Sequence, residues 1–490
     1  MRLAEKKLLR KIDFQLMPIL ILIYILNYLD RNNITTARNR GFVKDLGLTD
    51  TEYQTALSLL YVGYITLQIP SNLFMAKVGR PSLYLPCCVA AWGVVSGCTA
   101  LCENFHQLIV VRIFLGMVEA AFFPGALFLL SKWYKKSEIA TRTALLFSGS
   151  IISNAFSGLV SAGILGGMDG KAGHAGWKWL FIIEGSITVV VAVLAIFILP
   201  DFPHNSKFLT EEERQMAQRR LSLDAGESDN EGDSGGAWAG FLLAVRDVKV
   251  WILALMLTSC TVGLAFNQFM PTLTATLEYN KTVTLLLTAP IWFFAFIICL
   301  LNGLHSDKVG ERTMHIIVPL SVGCAGFIIS SATMNLGGRF FALFIEASSY
   351  AAYTCILGWI APSIPRPVYK RATALALINA FSQLGNISGS YVWPQKWGPR
   401  YWQSNVISLS MFMTTIALVL VHRFMLQREN RELDRSRGPV GTPIGAKSTG
   451  EGARYPNALV LEEDIQGVSR SQNISIEKAM QARADFRYML

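Results

Sequence analysis

Charge is what this sequence has least of. Only 16% of its 490 residues are Asp, Glu, Lys or Arg, where a soluble domain carries about a quarter. The apolar residues make up 52% of the chain and gather into runs of roughly 20, the length a helix needs to cross a hydrocarbon core of about 30 Å. The mean hydropathy is +0.38. In lipid every backbone polar group must be paired within the chain, so such runs are helices. The phosphate loop GxxxxGK[ST] is missing, which excludes an ATP-driven pump by the chain's own motifs. No HExxH and no paired Cys/His spacing occurs, so neither a metal nor another cofactor is implied, and no enzyme chemistry is suggested. The eight cysteines lie in or at the ends of apolar runs. They read as packing rather than a disulfide framework, including Cys98 and Cys102, one helical turn apart. A cleavable signal is also lacking. The basic start (Lys6, Lys7, Arg10, Lys11) leads into an apolar run that has no small-residue cleavage site and continues as a full span. The net charge of +10 does not point to nucleic acid, because the basic residues sit between spans, where charge orients a membrane protein.

The expected fold is an all-α membrane protein of twelve transmembrane helices in two pseudo-symmetric bundles of six. The spans fall at about 16–37, 53–75, 82–102, 107–131, 140–165, 180–199, 249–270, 283–303, 314–334, 340–363, 371–393 and 404–425. One set of connections is basic: Lys77 and Arg80; Lys132, Lys135 and Lys136; Lys308 and Arg312; Arg366, Lys370 and Arg371. The other set mixes signs or stays polar. The positive-inside rule then places the basic set and both termini in the cytoplasm. The organisation is a cytoplasmic N-terminus (1–15), a first bundle (16–199), a cytoplasmic linker (200–248), a second bundle (249–426) and a cytoplasmic tail (427–490). Within the linker, Thr210-Glu211-Glu212-Glu213 has capping-box spacing before a short charged helix. Residues 223–236 read as a flexible acidic stretch, and Ile474 to Leu490 as a short amphipathic helix. Trp177, Trp179, Trp393, Trp397 and Trp402 fall near span ends, where interface anchors are expected.

The halves echo each other. NLFMAKVGR (72–80) follows span 2 and GLHSDKVGER (303–312) follows span 8. RIFLGMVEA (112–120) in span 4 matches RFFALFIEA (339–347) in span 10. Internal repeats of this kind build many transporters, with the site at the interface between repeats.

The few charges inside spans carry the chemical signal, since a charge at the bilayer centre costs at least about 2.5–3.5 kcal/mol. Asp30 and Arg31 lie in LNYLDRNNI of span 1, with Asp30 about 18 Å past Pro18 at helical rise. In span 4, Glu119 follows Arg112 by seven residues, on the same helical face. The four come within reach of one cavity if spans 1 and 4 pack together. One reading is a structural ion-pair network. The other gives Arg31 and Arg112 the task of holding an anionic substrate, because guanidinium forks match carboxylates, and gives Asp30 and Glu119 the coupling proton. Tyr64 and Gln68 in span 2, Asn154 in span 5, Asn267 and Gln268 in span 7, Glu346 in span 10, and Asn379 and Gln383 in span 11 are further cavity candidates, or else interhelical hydrogen bonds. An unpaired carboxylate at Glu346 would be expensive, so Arg339 or the cavity must answer for it. Lys77, Arg80, Asp307, Lys308 and Arg312 sit where a gate would close in one conformation and open in the other, or simply set topology. Asn280-Lys281-Thr282 is a glycosylation sequon in an outer loop.

The stretches LNYLDRNNI, YVGYITLQIPSNLFMAKVGRP, VRIFLGMVEAAFFPGALFLLSKWY, GGMDGKAGHAGWKWLFIIEG, LPDFP followed by FLTEEER, and the terminal ADFRYML resemble the major facilitator superfamily. More closely, they resemble its fungal branch of anion:cation symporters, which includes allantoate permeases and high-affinity nicotinic acid transporters. The resemblance covers the first half almost continuously and the second more loosely. The superfamily loop signature carries an Asp, matched at Asp307 and replaced by Ala76 in the first half. The resemblance implies proton-coupled import of a small organic anion, a carboxylate or vitamin-like molecule, with substrate and proton roles falling on Asp30, Arg31, Arg112 and Glu119. The expected partners are that anion, a proton and the lipid bilayer, for a monomer in the plasma membrane. An exporter of a metabolite with the same fold, and a nutrient sensor that no longer transports, remain alternatives.

Overall fold

The computed structural model describes residues 2–78, 80–203, 206, 208–226, 237–277, 279–364 and 368–435. The tail expected at 427–490 is therefore described only to Arg435, and the ADFRYML stretch, the Ile474–Leu490 helix, most of the acidic linker stretch and Arg366 lie outside the described residues.

Twelve long helices dominate. The first half holds α1 (Arg2–Ala37), α2 (Asp50–Val78), α3 (Pro81–Cys98), α4 (Phe105–Glu119, resuming as Phe122–Trp133), α5 (Lys136–Gly167) and α6 (Gly176–Ile198). The second holds α7 (Val248–Gly263, running on through short turns to Ala275), α8 (Thr288–Val309), α9 (Thr313–Ala332), α10 (Leu336–Ser348, resuming as Tyr350–Ser363), α11 (Val368–Gly389) and α12 (Trp402–Arg435). Within the halves α3 packs on α6, α2 on α4, α7 on α11 and α12, and α9 on α10 and α12. Large apolar side chains face outward, Val190 at 59% and Phe197 at 81% exposure on α6. Water would not tolerate such a face, and lipid requires it.

Among the described residues, ten of these helices are both long and apolar enough to span by composition. The other two are α2 and α11. Both are long, but each carries a polar stripe (Tyr61 and Tyr64; Asn379, Gln383 and Asn386) that faces the interior between the halves rather than lipid. Helix α1 also begins far earlier than the expected span. Its first turns bury Leu8 and Ile12 and are pinned by Glu5–Lys135 at 2.6 Å and Asp13–Arg142 at 2.8 Å. Among the described residues the linker holds two helices, Glu211–Gly226 and Ala237–Arg246. The first opens on the anticipated capping box, with Thr210 and Glu213 exchanging backbone donors. Lys11 donates to Glu213 and, with the Thr210 amide, holds that carboxyl below its ordinary range. Trp177 and Trp393 are not interface anchors. Both are fully buried, Trp177 against Phe42 with its indole donating to Asp45 at 2.7 Å.

The echoing helices α4 and α10 both break just after their glutamates, Glu119 and Glu346. In α4 the cause is Pro124, which cannot donate to the carbonyl of residue 120. In α10 no proline is at the break. There the hydroxyls of Ser348 and Ser349 bond back to the carbonyls of Ile345 and Glu346, which loosens a helix.

Contacts between the halves gather on the face away from the chain termini. Tyr391 of the second half meets Thr55 at 3.0 Å and Ser58 at 3.3 Å. The Gln395 amide donates to Asp50 at 2.5 Å, and Arg40 to Thr282 at 3.2 Å. Gly158 lies so close to Leu285 and Thr288 that a Cβ there would stand 2.6 Å from a carbonyl oxygen. On the terminal face the described ion pairs stay within one half: Glu5–Lys135, Asp13–Arg142 and Arg220–Glu138 in the first half with its linker, Lys370–Asp247 and Lys249–Glu429 in the second.

Candidate substrate cavity between the halves

Five residues of α1 fall on one helical stripe: Tyr24, Asn27, Tyr28, Arg31 and Asn32, spaced three, four, seven and eight residues from the first. All five line a cavity of about 150 Å³ where the halves meet. The opposing wall comes from α7, with Asn267 and Gln268, from α10, with Tyr350 and Tyr353, and from α11, with Asn379, Gln383 and Asn386. Phe123 just past the α4 break, Phe147 of α5, and Tyr61 and Tyr64 of α2 complete an aromatic lining. Among the described lining residues, Arg31 and Glu119 are the charged ones.

These two are paired. Arg31 Nε donates to Glu119 Oε2 at 2.5 Å, with side-chain exposures of 16% and 0%. The contact uses one nitrogen and one oxygen, not the bidentate fork. The guanidinium also lies 4.9 Å from the Tyr64 ring centre and 5.5 Å from that of Tyr28, within cation–π range. The other carboxylate oxygen of Glu119 is buried without a hydrogen-bond partner, as is Asn27 Nδ2. Buried polar atoms left open on a cavity wall are suited to a ligand that completes them. Elsewhere the wall is already knitted. Asn32 donates to Asn154 at 2.6 Å, and Gln268 donates to Tyr61 across the halves at 3.2 Å.

The sequence expectation of one cavity for all four charges needs correction. Asp30, though next to Arg31, points the other way. It is fully buried and accepts from Trp92, Ser96 and Thr188 between α3 and α6. At about 100° per residue, Asp30 lies roughly 130° from the centre of the stripe that holds Arg31. Arg112 is also absent from the wall. It is 3% exposed, and its Nε donates to the Ala56 carbonyl at 3.2 Å, in the α2–α4 seam. Of the other candidates, Tyr64, Asn154, Asn267, Gln268, Asn379 and Gln383 line the cavity, whereas Gln68 does not. Glu346 lies off the cavity wall, and Arg339 acts on it only at a distance, with no direct ion pair among the described residues. It is buried with Oε1 unpartnered and Ser330 beside it, while Arg339 donates to the Pro399 carbonyl at 2.8 Å.

In the second terminal-face loop, Gly310 takes a left-handed turn (φ 71°) that ends α8. It brings Arg312 back onto Asp307 at 2.5 Å and onto Ser306 at 3.1 Å. Lys308 is exposed in the last turn of α8. In the first-half loop, Arg80 is exposed before α3, and the Lys77 side chain is outside the described structure. Asn280 is exposed, and its carboxamide oxygen caps the short helix Lys281–Leu286 by accepting from Val283 at 2.8 Å.

Sequence reasoning missed Tyr24, Asn27, Tyr28, Tyr61, Phe123, Phe147, Tyr350, Tyr353 and Asn386. The signal was present: in a membrane span, a polar-aromatic stripe at helical period marks the face turned from lipid.

Residues 20–390 match the Major Facilitator Superfamily. Over 447 residues the chain is 32% identical to the MFS-type transporter cnsO of Penicillium expansum, covering 87% of this chain and 85% of that one. It is 29% identical over 452 residues to the high-affinity nicotinic acid transporter of Saccharomyces cerevisiae, covering 90% and 82%. Among solved structures, a bacterial homologue of the human lysosomal transporter Spinster, in an inward-facing and occupied conformation, superposes with TM-score 0.64. That likeness has 16% identity and covers 84% of this chain and 97% of that one. The inward-open xylose transporter XylE from E. coli gives 0.62 at 16% identity, covering 82% and 95%. With a family match over most of its length, and relatives aligned across both halves, this chain belongs to the major facilitator superfamily.

Proposed function

We propose that this multi-pass membrane transporter imports a small organic monocarboxylate together with a proton, by alternating access of its two halves. The observation that carries the reading is the Arg31–Glu119 pair on the cavity wall. A carboxylate entering beside Arg31 competes with Glu119 for the guanidinium. Glu119 freed of its cation, in a buried setting, then takes up a proton. Substrate and proton are thereby bound together, and neither alone leaves the pair satisfied. The tyrosine and amide lining suits a flat, aromatic or amide-bearing acid, and the nicotinic acid transporter among the relatives supports that class.

The remaining roles follow. Tyr64 steadies Arg31; Asn267, Gln268 and Asn379 contact the neutral part of the substrate. Gln68, off the described wall, serves as a packing residue in this conformation. Asp30 is a proton-coupling residue acting behind α1, and Arg112 shapes the field around Glu119 from the α2–α4 seam. Lys77, Arg80, Asp307, Lys308 and Arg312 gate the terminal face. The basic connections favour a cytoplasmic position for that face, and the described contacts between the halves on the opposite face fit an inward-facing conformation. A single chain in the plasma membrane suffices for the cycle.

The test is uptake of labelled nicotinate into cells lacking their own carrier, at acid and neutral external pH. Saturable uptake that rises in acid, and an E119Q variant that no longer concentrates nicotinate against its gradient, are the expected results. Uphill uptake with unaltered pH dependence in E119Q would remove the proton from Glu119.

A further inference from the structure

The cavity uses Arg31 and Glu119 and leaves another buried acid without a task. Glu184 lies on α6, 2% exposed, and neither of its carboxylate oxygens has a hydrogen-bond partner. It faces the side of α1 opposite the cavity. Asp30 stands near it, and Asn33, one turn along from Asp30, lies beside it. Both carboxamide atoms of Asn33 are buried and unpartnered. Thr188, one turn past Glu184, donates to Asp30 at 3.2 Å. Helices α1, α3 and α6 thus enclose a buried polar seam whose residues are not among those lining the cavity.

The two acids of the seam are not equivalent. Asp30 accepts from Trp92 Nε1 at 3.1 Å and Thr188 Oγ1 at 3.2 Å on one oxygen, and from Ser96 Oγ at 2.9 Å on the other. Three converging donors hold Asp30 in place as an anion once its own coupling proton has left. Glu184 has only the Asn33 carboxamide beside it and no cation. A buried charge without a counter-ion is costly, and binding a proton relieves it. The ionisable group facing Glu184 is Asp30, from α1; α3 contributes Trp92 and Ser96, and α6 itself contributes Thr188, none of which titrates near neutrality. A hard metal cation gathers about six or more oxygens. Here both oxygens of Asp30 are already engaged, and no cluster of three or more metal-binding side chains occurs among the described residues.

We propose that Glu184 is a proton-binding residue of the transport cycle, seated with Asp30 in the α1–α3–α6 seam outside the substrate cavity. This rests on the proton-coupled reading above. Binding makes one O–H bond between a Glu184 oxygen and a proton delivered by water; release breaks that bond and returns the proton to water, with no electron transferred. Protonated, Glu184 donates to Asn33 or Asp30, and α1 sits firmly on α6. Ionised, it repels Asp30 across the same packing. Because Asp30 and Arg31 are consecutive on α1, that repulsion is transmitted to the cavity wall as a shift of the helix that carries Arg31.

The experiment is an infrared pH titration of the purified full chain in liposomes, which follows carboxylic C=O absorption and needs no substrate. The E184Q variant is expected to lose one titrating component. An E184Q titration identical to the unmodified chain overturns the proposal. The Asn33→Ala variant guards against loss of fold in E184Q: it keeps the component and is expected to move its midpoint, and an unmoved midpoint also overturns the proposal. So does a component displaced by sodium chloride and not by choline chloride. In the same liposomes, nicotinate accumulation driven by a pH gradient is expected to fall about tenfold in E184Q, the factor that one pH unit of driving force supplies, with a flattened pH profile. An unmodified chain that moves no nicotinate would count against the transport reading alone, since the infrared component does not depend on it.

Discussion

Arg31 is the residue on which the site turns. Its guanidinium is held between two tyrosine rings and a single carboxylate oxygen, so geometry as well as charge is at stake. Lysine keeps the charge but loses the planar fork and the stacking. A lost hydrogen bond to a charged group is worth about 1.5–3 kcal/mol, so R31K is expected to raise the KM for nicotinate roughly ten- to a hundredfold. A KM within twofold of the unmodified value would show that Arg31 does not touch the substrate. The pair itself was legible in the sequence, because charge in a membrane span is rare enough to stand out. Which way each charge points was not legible. Asp30 and Arg31 read as neighbours in a string, and only the roughly 100° turn between consecutive helical residues sends one to the α3–α6 side and the other to the cavity. Arg112 shows the same limit: its spacing from Glu119 is right for a shared face, yet the close seam with α2 leaves it bonded to the Ala56 carbonyl instead.

At the scale of helices, what places the cavity is how closely α2 and α4 approach. A Cβ built on Gly116 would stand 1.9 Å from the Leu60 carbonyl oxygen, and one on Gly63 would stand 2.2 Å from that of Ile113. Two backbones in contact bring Tyr64 and Glu119 to the same side of Arg31, and this is the use small residues have in membrane helix packing. Gly116→Ala is therefore expected to destabilise the first half by about 1–3 kcal/mol, the usual cost of overpacking. Gly167→Ala, with open space around the added carbon, is expected to cost almost nothing. Thermal unfolding in detergent, followed by tryptophan fluorescence, compares the two, and equal losses would sink the argument. The twelve helices were legible as apolar runs because lipid imposes the pattern. Their pairing was not, since a glycine that touches a backbone and one that touches nothing look alike in sequence. The two least apolar spans, α2 and α11, are the ones where lipid's rule is relaxed by the cavity they line.

For the whole molecule, the clasp on the face away from the termini is expected to set which state is populated. Arg38, nearly buried over the Tyr53 ring and 5.6 Å from the Phe269 ring of the second half, pairs with Asp50 at 2.7 Å. Asp50 in turn accepts from the Gln395 amide. Opening this face must break that chain of contacts, together with the Gly158 packing. In Asp50→Ala, Arg38 loses its carboxylate and the second half loses an anchor. In Gly158→Leu, a side chain is forced against Thr288 and the Leu285 carbonyl. Both changes act on the clasped state and spare the open one, and a loss of about 1.4 kcal/mol shifts such an equilibrium tenfold. Spin labels at Thr51 and Lys396, on opposite sides of the clasp, report the shift as a distance distribution. The unmodified chain is expected to give mainly the short distance, and both variants a populated longer one. A distribution that stays short in both would mean that the Asp50 and Gly158 contacts do not set the balance.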